Sequence, residues 1–472
     1  MNRLRALLIA LRLPADERSL KQKVMISGSL SAVGFITVAF LRLASTIVLT
    51  RILTPDTFGI FSVLLTFVFI LTMFSDLGIR SLILTQEGKL EDEFLHSCWT
   101  IQILRGILIA VVILLVAGTI ALLQSYDVFR PETSYAAPVL PPAIAAMALS
   151  FLILGTEYPN KFVYERRMRF GMITIEEMAL AFLQLVFMIG LALYLRNIWA
   201  LVIGLIASSA IQVTLSYFLF DGPKMRLAWH RNHIAVIFER GKWIVVHSAL
   251  TAITNVADRL VLGMFIPASS FGFYHIARQL IEMPVMLLTK IHTQVGLQLF
   301  TEIHKYDAVY DFRQRYYRYR KFFDALAMLG CGALLMLAPI LVEIVYDDRY
   351  ASVAGILQIL ALGLPLTGFT FLREAFSAQR RFRKMTVLSI VQAVTIWIGL
   401  LLALPVFDSM TAAFFIVALH RVPEILVLLY MGHKERWVEP LKEIQLLPLI
   451  AVGAALGWAL DWLLRAAFFA GG

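Results

Sequence analysis

Thirteen long apolar segments constrain this chain more than any other feature of its sequence. A transmembrane helix needs about 20 mostly apolar residues, because the hydrocarbon layer is about 30 Å thick and a helix rises about 1.5 Å per residue. Membrane-spanning helices are predicted at residues 25–50, 58–84, 99–123, 137–156, 172–195, 198–220, 242–266, 271–297, 322–346, 353–377, 385–407, 411–432 and 445–470. The runs are continuous and do not alternate, which favours helices over a barrel. Asp461 interrupts the last run, so the sequence is compatible with twelve, thirteen or fourteen membrane-spanning helices.

Composition excludes a water-soluble protein. The 472 residues are 60% hydrophobic and 16% charged, and the mean hydropathy is +0.79. Soluble domains have about 45–50% apolar and about 25% charged residues. The formal charge of +10 reflects basic loops at the membrane surface rather than a nucleic-acid site. The two cysteines, Cys98 and Cys331, form no disulfide framework or metal-binding pattern.

The basic residues also predict the orientation. Almost all loop Lys and Arg residues fall on one side of the predicted helices, in the tail and in the loops 161–169, 224–242, 305–321 and 380–384. Basic residues accumulate in cytoplasmic loops of membrane proteins. The N-terminus, with a segment at 1–24, is therefore predicted to be cytoplasmic.

Two sequence matches indicate an internal duplication. Phe58-Gly59 and Phe271-Gly272 follow corresponding helices, and an Arg-Arg-x-Arg motif occurs in loops of both halves, at 166–169 and 380–383. The predicted fold is all-α, with two parallel-related six-helix bundles around a central cavity and an additional C-terminal helix. The predicted boundaries are 25–220 for the first bundle, 221–241 for a cytoplasmic linker, 242–432 for the second bundle and 445–470 for the additional helix.

Charged residues inside the predicted spans are the candidate functional residues. Each costs about 2.5–3.5 kcal/mol at the centre of a membrane helix unless it faces a polar interior, reaches the interface or pairs. Arginine has a planar set of donors that suits phosphate and stays charged when desolvated. The predicted anion-binding residues of the cavity are Arg42, Arg259, Arg278 and Arg421.

Acidic residues in the same spans leave alternatives open. Asp258, Glu282 and Glu424 could carry a coupling ion or only tune the arginines. Arg278 with Glu282 and Arg421 with Glu424 have helical i,i+4 and i,i+3 spacings, so each pair could also neutralise itself. We interpret Arg105 and Arg373, near predicted helix ends, as side chains that extend to the interface.

Motifs of common enzymes are absent. The sequence contains no Gly-x-x-x-x-Gly-Lys-Ser/Thr, no Gly-x-Ser-x-Gly and no His-Glu-x-x-His. We therefore predict a transporter rather than an enzyme, with no catalytic residue, no metal site and no cofactor.

The N-terminal region resembles a known family. The stretch 45–59, SerThrIleValLeuThrArgIleLeuThrProAspThrPheGly, and Phe74-Ser75-Asp76-Leu77-Gly78-Ile79 resemble the Wzx-like lipid-linked oligosaccharide flippases, within the multidrug/oligosaccharidyl-lipid/polysaccharide exporter superfamily. The resemblance implies movement of an undecaprenyl-pyrophosphate-linked repeat unit across the bacterial inner membrane for exopolysaccharide, capsule or O-antigen synthesis. It implies membrane lipids, a polymerase and other assembly proteins as partners, and no nucleic acid.

Two other functions remain alternatives. A multidrug exporter of the same superfamily is disfavoured by the arginines, because cationic drugs require acidic cavities. A membrane glycosyltransferase or polymerase would need a catalytic loop, and the longest predicted outer loop is short, at 124–136.

Overall fold

The computed structural model describes residues 20–75, 77–86, 90–304, 309–379, 381–443 and 445–469. The predicted N-terminal segment lies outside these residues up to position 19, as do Asp76 and Arg380 of the two motifs above. The described chain folds into the helices α1 (Leu20–Ile52), α2 (Pro55–Phe74), α3 (Ile79–Thr85), α4 (Asp92–Ser125), α5 (Leu140–Gly155), α6 (Asn160–Arg166), α7 (Phe170–Leu195), α8 (Ile198–Leu219), α9 (Arg231–Asn255), α10 (Ala257–Phe265), α11 (Ala268–His304), α12 (Val309–Val345), α13 (Ser352–Ala361), α14 (Thr370–Ala378), α15 (Phe382–Ala403), α16 (Met410–Leu419), α17 (Val422–Lys434), α18 (Pro440–Glu443) and α19 (Leu449–Phe469).

These helices confirm an all-α, multi-pass membrane fold. Among the described residues, 10 helices are long and apolar enough to cross a membrane, or 11 when the bent pair α5–α6 counts as one span. Helices also occupy the two remaining predicted segments, 242–266 and 271–297, as α9–α10 and α11. These two segments carry Asp258, Arg259, Arg278 and Glu282, which lower their hydropathy.

Several spans are broken rather than continuous. The segment 353–377 divides into α13, a 3₁₀ turn at Leu364–Phe369 and α14. Helix α10 follows α9 after Val256, and α17 follows α16 after His420 and Arg421. Breaks leave backbone groups without helical partners, which membrane proteins tolerate where the backbone is buried in protein or lines a polar space.

The chain divides into two compact units. The N-terminal unit comprises residues 1–54, 64–129 and 135–252, and the C-terminal unit comprises residues 55–63, 130–134 and 253–472. In the N-terminal unit α1 packs on α7, α7 on α8, and α4 on α5. In the C-terminal unit α11 packs on α13 and α14, and α19 packs along α12. The predicted bundle boundaries stay predictions.

The repeated Phe-Gly pairs meet within the C-terminal unit. A Cβ atom at Gly59 would lie 2.0 Å from the carbonyl oxygen of Ala268, and one at Gly272 would lie 2.0 Å from the carbonyl oxygen of Pro55. Each glycine thus lets the first turn of its helix approach the first turn of the other. This reciprocal contact explains why both copies of the motif need glycine at this position.

A buried arginine anchors the segment before the last helix. Arg320 of α12 is 2% exposed, and its Nε lies 2.7 Å from Oδ2 of Asp324. Its Nη1 contacts Oε2 of Glu443 at the end of α18. Tyr317 Oη also donates to Glu443 Oε1 over 2.9 Å. These bonds join α18 to α12, on which α19 packs, so the additional C-terminal helix is part of the C-terminal unit.

Candidate functional site

The first charge cluster of the C-terminal unit joins α10 and α11. Arg278 Nη1 donates to Asp258 Oδ2 over 2.7 Å, and its Nε donates to Glu282 Oε1 over 2.8 Å. Arg259 Nη2 donates to the same Glu282 oxygen over 2.9 Å. Tyr274 Oη donates to Asp258 Oδ2. The structure therefore brings together four of the seven predicted site residues.

This first cluster is electrically balanced. Two arginines face two carboxylates, and Asp258 is 1% exposed whereas Glu282 is 40% exposed in its side chain. Asp258 lies in the first turn of α10, where the helix N-terminus favours a negative charge. The i,i+4 pair of Arg278 and Glu282 predicted from spacing is present, but it is one part of a larger network.

The second cluster surrounds Glu424. This residue is fully buried, and its Oε1 accepts from Arg373 Nη1 over 3.0 Å while its Oε2 accepts from Arg421 Nε over 3.4 Å. Arg373 also donates to Ser389 Oγ over 2.8 Å. Two arginines thus share one hydrogen-bonded carboxylate, and Glu374, next to Arg373 in the chain, is a second acidic residue nearby.

The fold positions this second cluster at broken helices. Glu424 lies in the first turn of α17, directly after the break at Arg421, and Arg373 lies in the first turn of α14 after the 3₁₀ turn. The helix N-terminus stabilises the buried carboxylate, and the carboxylate holds both arginines. The side chains of Arg373 and Arg421 are 23% and 21% exposed, so part of each guanidinium is accessible.

Arg373 joins the Glu424 cluster although it was not among the predicted anion-binding residues. Arg105 donates to Ser75 Oγ and to the carbonyl oxygen of Thr72 at the end of α2. The interpretation of both arginines as side chains that extend to the interface stays a prediction. The sequence signal for a further partner was Glu424 itself. A carboxylate so deep in a predicted span is expected to need more than the one arginine, Arg421, at i,i+3 spacing.

Arg42 differs from the other predicted residues. It lies in α1 of the N-terminal unit, about halfway along the apolar span Val33–Ile52, and it is exposed. Within the residues that the structure describes, its guanidinium makes no hydrogen bond or ion pair. The described bonds therefore place the other six predicted residues in the balanced cluster or the Glu424 cluster, and Arg42 in neither. A shared cavity stays a prediction.

Metal-binding groups are not found in the described part of the chain, where no set of three or more His, Cys, Asp or Glu side chains is placed to hold an ion. The clusters instead offer guanidinium donors. Such donors bind oxyanions, most effectively where two planar groups converge.

Comparison with known proteins identifies the family. The model of a family described as polysaccharide biosynthesis protein matches residues 48–355, more than half of the chain. The chain belongs to this family. It is 23% identical over 349 residues to the lipopolysaccharide biosynthesis protein WzxC of Escherichia coli K12, which covers 73% of this chain and 67% of that protein. It is 25% identical over 247 residues to the amylovoran biosynthesis protein AmsL of Erwinia amylovora, covering 50% of this chain and 62% of AmsL, less than two thirds of that relative.

The fold resembles that of a flippase of known structure. The lipid II flippase MurJ in an inward closed conformation superposes with a TM-score of 0.66 at 12% identity, covering 93% of this chain and 98% of MurJ. At this identity the likeness concerns the fold. Family and fold together confirm the resemblance to Wzx-like members of the exporter superfamily that residues 45–79 indicated.

Proposed function

We propose that this protein translocates an undecaprenyl-pyrophosphate-linked oligosaccharide repeat unit across the bacterial inner membrane by alternating access. The movement would supply a surface or exopolysaccharide polymerase, and the N-terminus would be cytoplasmic. The protein acts as a transporter and forms no bond in its substrate. Membership of the polysaccharide biosynthesis family and the flippase-like fold support this proposal.

One observation supports an anionic substrate in particular. Arg373 and Arg421 share the single buried carboxylate of Glu424, and the exposed Arg42 adds a further cation within an apolar span. Arginine does not lose its proton, so the guanidinium donors that Glu424 leaves unused stay available to an anion. A pyrophosphate supplies negative oxygens that accept several guanidinium hydrogen bonds. A cationic drug would be repelled by the same groups.

The remaining predicted residues have supporting roles in this proposal. Arg259 and Arg278 contact substrate with the donors that Asp258 and Glu282 leave unused. Asp258, Glu282 and Glu424 fix the arginines and tune their charge. Arg373 is added to the substrate-binding set.

The test compares variants that keep the fold. Arg42→Ala removes a side chain without a described partner, and Arg421→Ala leaves Arg373 and Glu424 as a balanced pair. A charge-assisted hydrogen bond is worth about 1.5–3 kcal/mol, which corresponds to roughly tenfold or more in binding. We expect surface polymer to fall and lipid-linked intermediates to accumulate in each variant, more so in the double variant.

The matched control is Arg465→Ala, which removes an exposed arginine that pairs with Asp461 and Glu343 on α19 and α12. It should leave polymer output unchanged at equal membrane levels. Normal polymer output in a clean deletion of the gene would refute the flippase proposal. Normal output in the double variant would refute the role of these arginines and leave the flippase proposal standing.

A further inference from the structure

A buried group of charges in the N-terminal unit has no role in the function proposed above. Glu157 lies at the bend between α5 and α6, where the two helix axes differ by 61°. Lys161 follows on α6, and its Nζ lies 2.8 Å from Glu157 Oε1 and 3.6 Å from Glu176 Oε2. Glu176, on the second turn of α7, is 2% exposed. One ammonium group therefore lies between two carboxyl groups.

Hydrogen bonding distinguishes the two carboxyl groups. Glu157 Oε1 accepts from Lys161 Nζ and, over 3.0 Å, from Gln212 Nε2. Neither oxygen of Glu176 accepts a hydrogen bond from any group that the structure describes. A buried carboxylate without donors is strongly disfavoured, whereas a neutral carboxylic acid is tolerated. The packing therefore fits an ionised Glu157 and a protonated Glu176.

A cavity borders this group at Glu157. It has a volume of about 230 Å³, and Gln102, Arg105, Glu157 and Gln212 contribute polar side chains to a lining that is otherwise largely apolar. Gln102 Nε2 donates to the carbonyl oxygens of Leu154 and Glu157 at the α5–α6 bend. A cavity of this volume has room for several water molecules, each of which occupies about 30 Å³ in the liquid. Water there can exchange protons with Glu157, whose partner Lys161 also faces Glu176.

We propose that Glu176 is a proton-binding site whose loading and release are coupled to transport. In loading, a hydronium ion loses one of its O–H protons to an oxygen of the Glu176 carboxylate, which leaves a neutral carboxylic acid and water. In release, the carboxyl O–H bond breaks, a water molecule takes the proton as hydronium, and the carboxylate remains. The coupling part rests on the proposed function, whereas proton binding by Glu176 does not.

The geometry links the proton to the α5–α6 bend. After release, the carboxylate of Glu176 needs a donor, and the nearest is Lys161, which is held by Glu157. The two carboxylates then compete for one ammonium group. Movement of Lys161 toward Glu176 weakens its bond to Glu157, the residue at the bend. The protonation state of Glu176 thereby selects between two arrangements of this bend.

Other charged groups near Glu176 are few. Its neighbour Glu177 is exposed, and α8 contributes the uncharged Gln212. On α1, Gly34 lies against Thr174, two residues before Glu176. The described charged side chains of α1 are Arg42 and Arg51. The nearer of them, Arg42, is eight residues, about 12 Å, farther along that helix. The adjacent ammonium group of Lys161 disfavours a metal cation at this position, which selects a proton as the ligand.

The first experiment detects the proton directly. Infrared difference spectra of the purified full-length protein at neutral pH report the carbonyl stretch of a protonated carboxyl group. We expect this band in wild type and in the matched control Glu177→Gln, and its loss in Glu176→Gln. A band that Glu176→Gln does not change would overturn the assignment. This readout needs no transport activity, so it stays decisive even where the flippase proposal fails.

The second experiment tests the coupling. Glu176→Gln has the shape of the neutral acid and is expected to reach wild-type membrane levels, but it cannot release a proton. We expect polymer output to fall by at least about tenfold, as for removal of a group that transfers protons, whereas Glu177→Gln keeps wild-type output. Glu176→Asp keeps a titratable group and should retain part of the output with an altered dependence on external pH. Wild-type polymer output from Glu176→Gln would show that transport does not require proton release by Glu176, and would overturn the coupling.

Discussion

In the C-terminal unit two arginines, Arg373 and Arg421, share the buried carboxylate of Glu424, whereas in the N-terminal unit one lysine, Lys161, lies between Glu157 and Glu176. The Glu424 cluster has two cations bonded to one carboxylate, and the Glu176 cluster has one cation between two carboxyl groups. Glu424 and Glu176 are both buried, where an uncompensated charge is costly. The two units thus contain the same kind of polar group with opposite balance.

The chemistry of the side chains decides what each cluster can bind. A guanidinium stays protonated even when it is buried, so the donors that Glu424 leaves unused stay available to an added anion. A carboxyl group can take up a proton, so the Glu176 cluster can reach neutrality with water as the source. In our two proposals the Glu424 cluster binds an anion and the Glu176 cluster binds a proton.

The largest expected effect comes from Glu424→Gln, which leaves two arginines without their shared carboxylate. Removal of one partner from a buried ion pair costs about 3–5 kcal/mol, because the remaining charge is uncompensated. We expect a marked decrease in the thermal unfolding temperature of the purified protein and a lower membrane level. A loss below about 1 kcal/mol, the range of exposed ion pairs, would show that the two arginines find other partners and do not depend on Glu424.

A smaller effect is expected from Lys161→Met, which leaves Glu157 and Glu176 without a cation. The free energy of unfolding should fall by about 1–3 kcal/mol, because protonation of a carboxyl group relieves part of the cost of burying a carboxylate without a cation. The variant should therefore approach wild-type stability as the pH falls from about 8 to about 5, whereas the deficit of Glu424→Gln should not change over this range. Thermal unfolding of both variants across this pH range distinguishes them. If the stability deficits of the two variants changed with pH in the same way, the proposed difference between the two clusters would be wrong.

Continuous apolar runs made most of the fold predictable. The segments predicted at 172–195 and 198–220 appear as Phe170–Leu195 and Ile198–Leu219, because length and hydropathy determine a membrane helix. The break in the run 353–377 has a local signal, because Gly363, Pro365 and Gly368 allow a helix to bend there and the run divides into two helices and a 3₁₀ turn at Leu364–Phe369. The break before Glu424 has no such signal on its N-terminal side, since His420 and Arg421 do not by themselves end a helix.

The candidate site was predictable where its contacts are local. The spacing of Arg278 and Glu282 predicted their ion pair, as did that of Arg421 and Glu424. Arg373 reaches Glu424 from another helix, 51 residues away, and no local spacing reports such a contact. The position of Arg42 in mid-span was evident, but its substrate contact stays a prediction.

The smallest expected effect comes from Glu435→Gln and isolates the contribution of burial. Glu435 accepts from Lys384 Nζ over 2.6 Å and also from Arg381, so it has the same balance of two cations to one carboxylate as Glu424. It lies just after α17 and is 26% exposed in its side chain. Since solvent screens both cations, Glu435→Gln should cost less than about 1 kcal/mol and its effect should decrease further with salt.

The pH dependence of this exposed cluster has a defined sign. The hydrogen bond from Lys384, together with that from Arg381, holds the pKa of the Glu435 carboxyl below its ordinary value. The ion pairs of Glu435 therefore contribute to the free energy of unfolding above the ordinary glutamate pKa of about 4.3. This contribution is lost as the pH falls through the lower pKa that Glu435 has in the folded protein. The wild type and Glu435→Gln should unfold at the same temperature below that pH and differ slightly above it. If Glu435→Gln were as costly as Glu424→Gln, the ratio of cations to carboxylates rather than burial would determine the energetics of both clusters, and the two arginines at Glu424 would no longer support an anion site in particular.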